Sequence, residues 1–176
     1  MKVALVRHGQ TEENFRNRLQ GRSNHILNET GKRQAQRLRE KIKNKEYDIC
    51  YTSPLARCVE TAMILIGDRV LMELDERLVE RNLGKLEGHA RSEYDTDFYW
   101  DYDLNTNENE VEPVHDLFKR CEEFLNSLKE KNYQSVLIVS HSAIYRTLRY
   151  LLTNGELKGK LYNGIIDNCQ YEEFEI

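Results

Sequence analysis

No long apolar run occurs anywhere in the chain, and no window approaches the roughly 18 residues that a membrane-spanning helix needs. The N-terminus passes directly into a short apolar stretch without a secretory signal segment, so a cytoplasmic protein with no membrane association is expected. Cysteine pairs are missing too: Cys50, Cys58, Cys121 and Cys169 are scattered, with no Cys-x-x-Cys spacing to suggest a zinc ribbon or a redox dithiol. They read as small buried side chains. An excess of positive charge is also lacking, since 26 Lys and Arg face 30 Asp and Glu for a formal net charge of −4. That balance gives no global pull toward nucleic acid or an anionic bilayer, so any anion site has to be local. Repeats and linkers are absent, and 176 residues most simply form one domain spanning 1–176.

What is present starts with Val3-Ala4-Leu5-Val6, four apolar residues without polar alternation, followed at once by Arg7-His8-Gly9-Gln10-Thr11. Such a run reads as a strand buried on both faces, the habit of parallel sheets in α/β proteins. Val136-Leu137-Ile138-Val139 followed by Ser140-His141-Ser142 repeats the construction. If the two strands are parallel neighbours, both imidazoles stand at one edge of one sheet, the edge where open α/β sheets bind ligands.

Between these runs, Glu12 to Asn24 reads as a polar loop with a brief helical piece, and Asn14, Gln20, Gly21, Arg22 and Ser23 suit a ligand rim. Asn28 is placed to cap a helix from about Glu29 to Lys43 with Ala35, Leu38 and Ile42 inward. Its basic outer face is interrupted by Glu40, with Glu46 just beyond, and carries no stacking aromatics, which argues against a nucleic-acid surface. Ile49 to Thr52 and Val70 to Leu74 read as further strands. Ser53-Pro54 reads as a helix start with the serine as cap and Arg57 in the first turn, from which its side chain can reach the same sheet edge. The charged segment from Asp75 to Gly88 suits a pocket-lining loop, and one of its glutamates could donate a proton; the pattern leaves open which. Residues 94–112 combine Tyr94, Phe98, Tyr99, Trp100 and Tyr102 with an acidic run and are expected to form an excursion over the sheet edge, a lid. Pro113 opens a helix burying Val114, Leu117, Cys121, Phe124, Leu125 and Leu128 through about Lys131. Another follows His141 with Ile144, Leu148, Leu151 and Leu152 inward, and the tail from Ile165 to Ile176 adds an edge strand.

Three strand-helix units thus bring Arg7, His8, Arg57 and His141 to one site beside two helix N-termini, a setting suited to a dianionic phosphoryl group. A neutral imidazole can attack phosphorus in line, and His8 is the better placed of the two. Arg7, Arg57 and His141 would then hold the equatorial oxygens.

The chain resembles the histidine phosphatase superfamily, also called the phosphoglycerate mutase-like family. The resemblance rests on Arg7-His8-Gly9-Gln10-Thr11 with Asn14, on Ser53-Pro54-Leu55-Ala56-Arg57 with Thr61-Ala62, and on Val139-Ser140-His141. It implies a phosphoglycerate mutase-like α/β three-layer sandwich: a mostly parallel central sheet with helices on both faces. It further implies a metal-independent and cofactor-independent phosphomonoesterase in which His8 becomes phosphorylated and Arg7, Arg57 and His141 form the phosphate pocket. The segment Glu80-Arg81-Asn82-Leu83-Gly84-Lys85-Leu86-Glu87-Gly88 is similar to the family's acid-bearing stretch, which points to Glu80 as proton donor and leaves Glu87 structural. Gln10, Thr11, Asn14, Gln20, Gly21 and Ser142 complete the expected substrate-binding set.

Three places depart from the family pattern: Ser142 stands where glycine usually follows the second histidine, Asn24-His25-Ile26 replaces an aspartate and proline pattern, and no Glu-Ser pair precedes the long helix near Glu112-Pro113. These positions bear on substrate choice more than on phosphoryl chemistry. The expected partner is a small phosphorylated substrate, with its identity and the oligomeric state open. Mutase-type transfer and a non-catalytic phosphoryl-binding protein are the competing readings.

Overall fold

The computed structural model describes residues 1–162 and 164–176. Five strands form one sheet: β1 (Lys2–Arg7), β2 (Ile49–Thr52), β3 (Leu71–Leu74), β4 (Ser135–Ser140) and β5 (Tyr171–Glu175). Their order is β3-β2-β4-β1-β5, with every pairing parallel except that of β5 with β1. The helices are the short α1 (Glu12–Phe15) and α4 (Thr96–Tyr99), together with α2 (Glu29–Ile42), α3 (Ala56–Ile66), α5 (Val114–Lys129) and α6 (Ser142–Leu152).

Side chains alternate across a strand, so a strand covered on both faces must be apolar at every position. In β1, Val3 and Leu5 pack into one core with β4 residues Val136 and Ile138 and with α5 and α6. Ala4 and Val6 pack into a second core with Leu137, Val139, α2 and α3. The molecule is therefore a three-layer α/β sandwich, and the four-residue runs are apolar because each side of the sheet has its own helices. Asn28 caps α2, its side chain accepting from the Gly31 amide at 2.8 Å, and Ala35, Leu38 and Ile42 are buried as the periodicity predicts. All six apolar residues expected inward on α5 are buried, although the helix ends at Lys129.

One helix start differs from expectation. Helix α3 begins at Ala56, with Leu55 at the capping position and no side-chain cap of its own. The Ala56 amide donates to Asn24 Oδ1 at 2.8 Å, while the Ser53 hydroxyl lies 2.8 Å from His141 Nε2. Ser53 Oγ still accepts from the Leu55 amide at 3.3 Å but also serves a buried ring nitrogen, which has no water to turn to, and a loop asparagine takes the Ala56 amide.

Tyr94, Tyr99 and Trp100 are buried in the larger core, with Tyr94 and Tyr99 stacked at a centroid distance of 4.8 Å. Among the described residues no helix is long and apolar enough to cross a membrane.

Candidate active site

Parallel pairing aligns the C-terminal ends of β1, β2 and β4, with Arg7 opposite Ser140 and Thr52 opposite Val139. The residue that leaves β1 is His8, and the one that leaves β4 is His141, so the matching positions seen in the sequence become neighbours in space. Their ring centroids lie 5.2 Å apart at an interplanar angle of 66°. Both are buried, at 2% and 0% exposure.

His8 Nδ1 is 2.7 Å from the carbonyl oxygen of Gly9. A carbonyl can only accept, so Nδ1 carries the proton and Nε2 is left with its lone pair. Burial, then the charges of Arg57 and Arg7, push the His8 pKa well below its usual value, against the smaller opposing effect of the Gly9 bond. The ring is neutral at neutral pH, with the Nε2 lone pair free of a proton.

Arg57, the second residue of α3, donates from Nε to His141 Nδ1 at 3.2 Å, from Nη1 to Ser23 O at 2.7 Å and from Nη2 to Gly21 O at 2.8 Å. The guanidinium can only donate, so His141 Nδ1 is the acceptor and Nε2 bears the proton that reaches Ser53 Oγ. Cys58 Sγ also touches that ring, 3.3 Å from Nε2. Burial first, then Arg57, His8 and Arg7, hold the His141 pKa well below the ordinary range. Expected to hold a phosphate oxygen, His141 here has both nitrogens engaged by Arg57 and Ser53.

Arg7 donates through Nη1 to the Ile166 carbonyl, and its buried Nε has no partner. Burial lowers its pKa to about 10, partly offset by Glu80, which leaves it protonated at neutral pH. The C-terminal segment completes this turn: Asn168 Nδ2 donates to His8 O at 3.0 Å and the Cys169 amide to Arg7 O at 3.0 Å. A cleft of about 250 Å³ is lined by Arg7, Asn14, Arg18, Arg91, Ser142 and Asn168, among others.

Glu80 approaches from the loop after β3. Its Oε1 accepts from the Arg81 amide at 2.9 Å and from the Ala143 amide, at the first turn of α6, at 3.2 Å. Arg120 fixes that loop by donating from Nη1 to the carbonyls of Arg77 (2.6 Å) and Val79 (2.7 Å), while its Nε and Nη2 bind Glu112 at 2.7 and 3.0 Å.

The other expected binding residues divide. Asn14 and Ser142 line the cleft. Gly21, at φ 51°, offers its carbonyl to Arg57. Thr11 and Gln20 face each other at 3.0 Å, with Thr11 capping α1, and Gln10 turns to α2, its amide donating to Gln34 Oε1 at 2.9 Å and its Oε1 accepting from Asn28 at 3.0 Å. Ser53, Cys58 and Arg146 were not anticipated. Only Ser53 had a local signal, and it suggested a helix cap. Among the described residues no group of three His, Cys, Asp or Glu side chains gathers as a metal site.

The family model for the histidine phosphatase superfamily (branch 1) matches residues 3–176. The chain belongs to that superfamily. It is 34% identical to the phosphatase PhoE of Bacillus subtilis, over 97% of this chain and 89% of that protein. Identity to phosphoserine phosphatase 1 of Hydrogenobacter thermophilus is 29%, over 97% and 84%. Among solved structures, YhfR of Bacillus stearothermophilus superposes with a TM-score of 0.87 at 28% identity, covering 99% of this chain and 91% of that one. As a histidine phosphatase superfamily member, the chain has its arginines, histidines and Glu80 gathered at the corner of the sheet its sequence marked out.

Proposed function

We propose that this protein hydrolyses small phosphomonoesters through a phosphohistidine formed on His8. The observation that carries the reading is the 2.7 Å contact between His8 Nδ1 and the Gly9 carbonyl, which fixes the tautomer and leaves Nε2 as the nucleophile in a ring kept neutral by burial. Family membership and phosphatase-named relatives support the reaction class.

In the first step His8 Nε2 bonds to phosphorus as the bond to the leaving oxygen breaks, and a proton carried by Glu80 passes to that oxygen. In the second, Glu80, now a carboxylate, takes a proton from a water whose oxygen attacks phosphorus; the bond to Nε2 breaks, releasing phosphate and restoring both residues. Arg7 and Arg57 stabilise the charge that spreads over the phosphoryl oxygens, and His141, whose Nδ1 accepts from Arg57 Nε, holds that guanidinium in position. Arg57 spends three of its five N–H groups on His141, Ser23 and Gly21 and keeps two for a ligand.

Mass spectrometry after a rapid quench with a good aryl phosphate substrate tests this. An added phosphoryl group, acid-labile and base-stable, is expected on the peptide containing His8, together with loss of turnover in His8→Ala. Unchanged phosphate release by His8→Ala would rule the scheme out.

A further inference from the structure

Glu80 stands at the end of a strap whose backbone carbonyls are claimed from outside it. Arg120 Nη1 donates to Arg77 O at 2.6 Å and to Val79 O at 2.7 Å, and the Ser140 hydroxyl, at the last position of β4, donates to Leu78 O at 2.7 Å. Arg22 Nε reaches the carbonyl of Glu80 itself at 3.4 Å. The Leu78 side chain is buried in the larger core beneath the strap. Three consecutive carbonyls gripped from α5 and β4 leave the backbone ahead of Glu80 little room to slide along the sheet edge.

Arg120 is itself held. Its Nε and Nη2 form a two-pronged pair with Glu112 at 2.7 and 3.0 Å, and the two side chains are only 15% and 10% exposed. Glu112 Oε2 also accepts from the Asn82 amide at 3.1 Å, and the Glu112 amide donates to Asn82 O at 2.9 Å. The pair therefore grips the acid-bearing loop on both sides of Glu80, at 77 and 79 through Arg120 and at 82 through Glu112. Four of the five guanidinium donors of Arg120 are committed to these bonds. A lysine has no such fork and cannot meet a carboxylate in two prongs and two carbonyls at once.

Resting on the phosphomonoesterase reading above, we propose that Arg120, locked by Glu112, is the positioning residue for proton donation, setting where the Glu80 carboxyl meets the leaving oxygen. Glu80 Oε1 is taken by the Arg81 and Ala143 amides at 2.9 and 3.2 Å, while Oε2 lies farther from the Ala143 amide, at 3.4 Å. An amide can only donate, so Oε2 is the oxygen that carries the proton. A misplacement near 1 Å at a reacting group costs about 10²-fold in rate, which is the scale on which a loosened strap would be felt. A basic leaving oxygen needs the proton as its bond to phosphorus breaks, whereas a nitrophenolate departs largely without it. Loss of Arg120 is therefore felt most where the leaving group is poor.

The test reads kcat/KM, which covers the steps up to phosphorylation of His8, across phenyl phosphates whose leaving groups run from nitrophenol to phenol. Arg120→Gln is expected to lose about tenfold or more on phenyl phosphate and only about twofold on 4-nitrophenyl phosphate, so that the dependence on leaving-group basicity steepens. Arg120→Lys, which keeps the charge and can reach one carbonyl, should fall between Arg120→Gln and the unmodified enzyme. In a Glu80→Gln background, Arg120→Gln is expected to cost nothing further on phenyl phosphate, because a residue acting through another is not additive with it. Equal losses across the series, an undiminished rate on phenyl phosphate, or losses that add in the double variant would overturn the positioning role. Should Arg120→Gln fail to fold, Glu112→Gln, which loosens Arg120 without removing it, takes its place in the same comparisons with the same deciding outcomes. No phosphate release from any of these esters by the unmodified enzyme would instead sink the phosphatase reading, and the positioning role with it.

Discussion

Glu87 and Arg57 take hold of the same three-residue segment in opposite senses, Glu87 through the segment's hydrogen-bond donors and Arg57 through its carbonyls. Glu87 accepts from the Arg22 amide at 2.7 Å and from the Ser23 hydroxyl at 2.8 Å, whereas Arg57 donates to the carbonyls of Gly21 and Ser23. A β-carbon at Gly21 would fall 2.1 Å from Glu87 Oε1, so the segment is closed tightly over the carboxylate. Arg57 is thereby aimed by a residue from the acid-bearing loop.

Removing that support should be felt at the phosphate and not at the acid. Glu87→Ala is expected to raise KM and to weaken inhibition by inorganic phosphate by about tenfold, the scale of one lost charge-assisted hydrogen bond. Glu87→Gln, which can still accept one of the two bonds, should recover part of the loss. Wild-type phosphate inhibition in Glu87→Ala would show that Arg57 holds its place unaided.

Two neutral buried histidines make stability depend on pH. Unfolded, His8 and His141 titrate near about 6.5, but their folded pKa values lie well below that. As pH falls through about 6.5 the unfolded chain takes up protons that the native one refuses, so stability present above that pH is progressively lost, by up to about 1.4 kcal/mol per histidine per pH unit. Denaturant midpoints measured from about pH 7.5 to about pH 5.5 should fall. The slope should flatten in His8→Asn and again in His141→Asn. A midpoint indifferent to pH in the unmodified protein would contradict the neutral assignment.

A glycine in a packing helix should also prove essential to the chemistry. Gly31 in α2 meets the catalytic turn closely: a β-carbon there would lie 2.1 Å from the Gln10 carbonyl, and one on Gly9 would lie 2.6 Å from the Gly31 carbonyl. At an ordinary helix position, glycine to alanine is worth about 0.5–1 kcal/mol in favour of alanine, so a harmful result isolates the close approach. Gly31→Ala is expected to cut kcat by about 10²-fold, the loss that a misplacement near 1 Å can cause. Circular dichroism should show the helices retained. Undiminished turnover would mean the turn can move aside freely.

The parts of this site legible in the sequence are those set by the sheet. Val3 to Val6 and Val136 to Val139 are apolar at every position because each is covered on both faces, and the residues that follow emerge side by side because the strands are parallel. The Ser53 hydroxyl serves two partners, accepting from the Leu55 amide at 3.3 Å just ahead of α3 and lying 2.8 Å from His141 Nε2. The local amides were visible in the sequence, while His141, 88 residues away, was not. Trp100 sits in an acidic stretch whose composition suggests a surface excursion. It is buried in the larger core with Arg81 and Arg146 over its ring, an approach no local pattern records. Gly31 likewise looks like any residue of an amphipathic helix until the turn it touches is in place.

Residues 166–169 close over the turn bearing His8, taking a bond from Arg7 and giving others to the carbonyls of Arg7 and His8. His8 and Asn168 stand 160 positions apart, so this clasp exists only once a very long loop has closed. Its cost in chain entropy has to be met by the pairing of β5 with β1 that brings the two segments together.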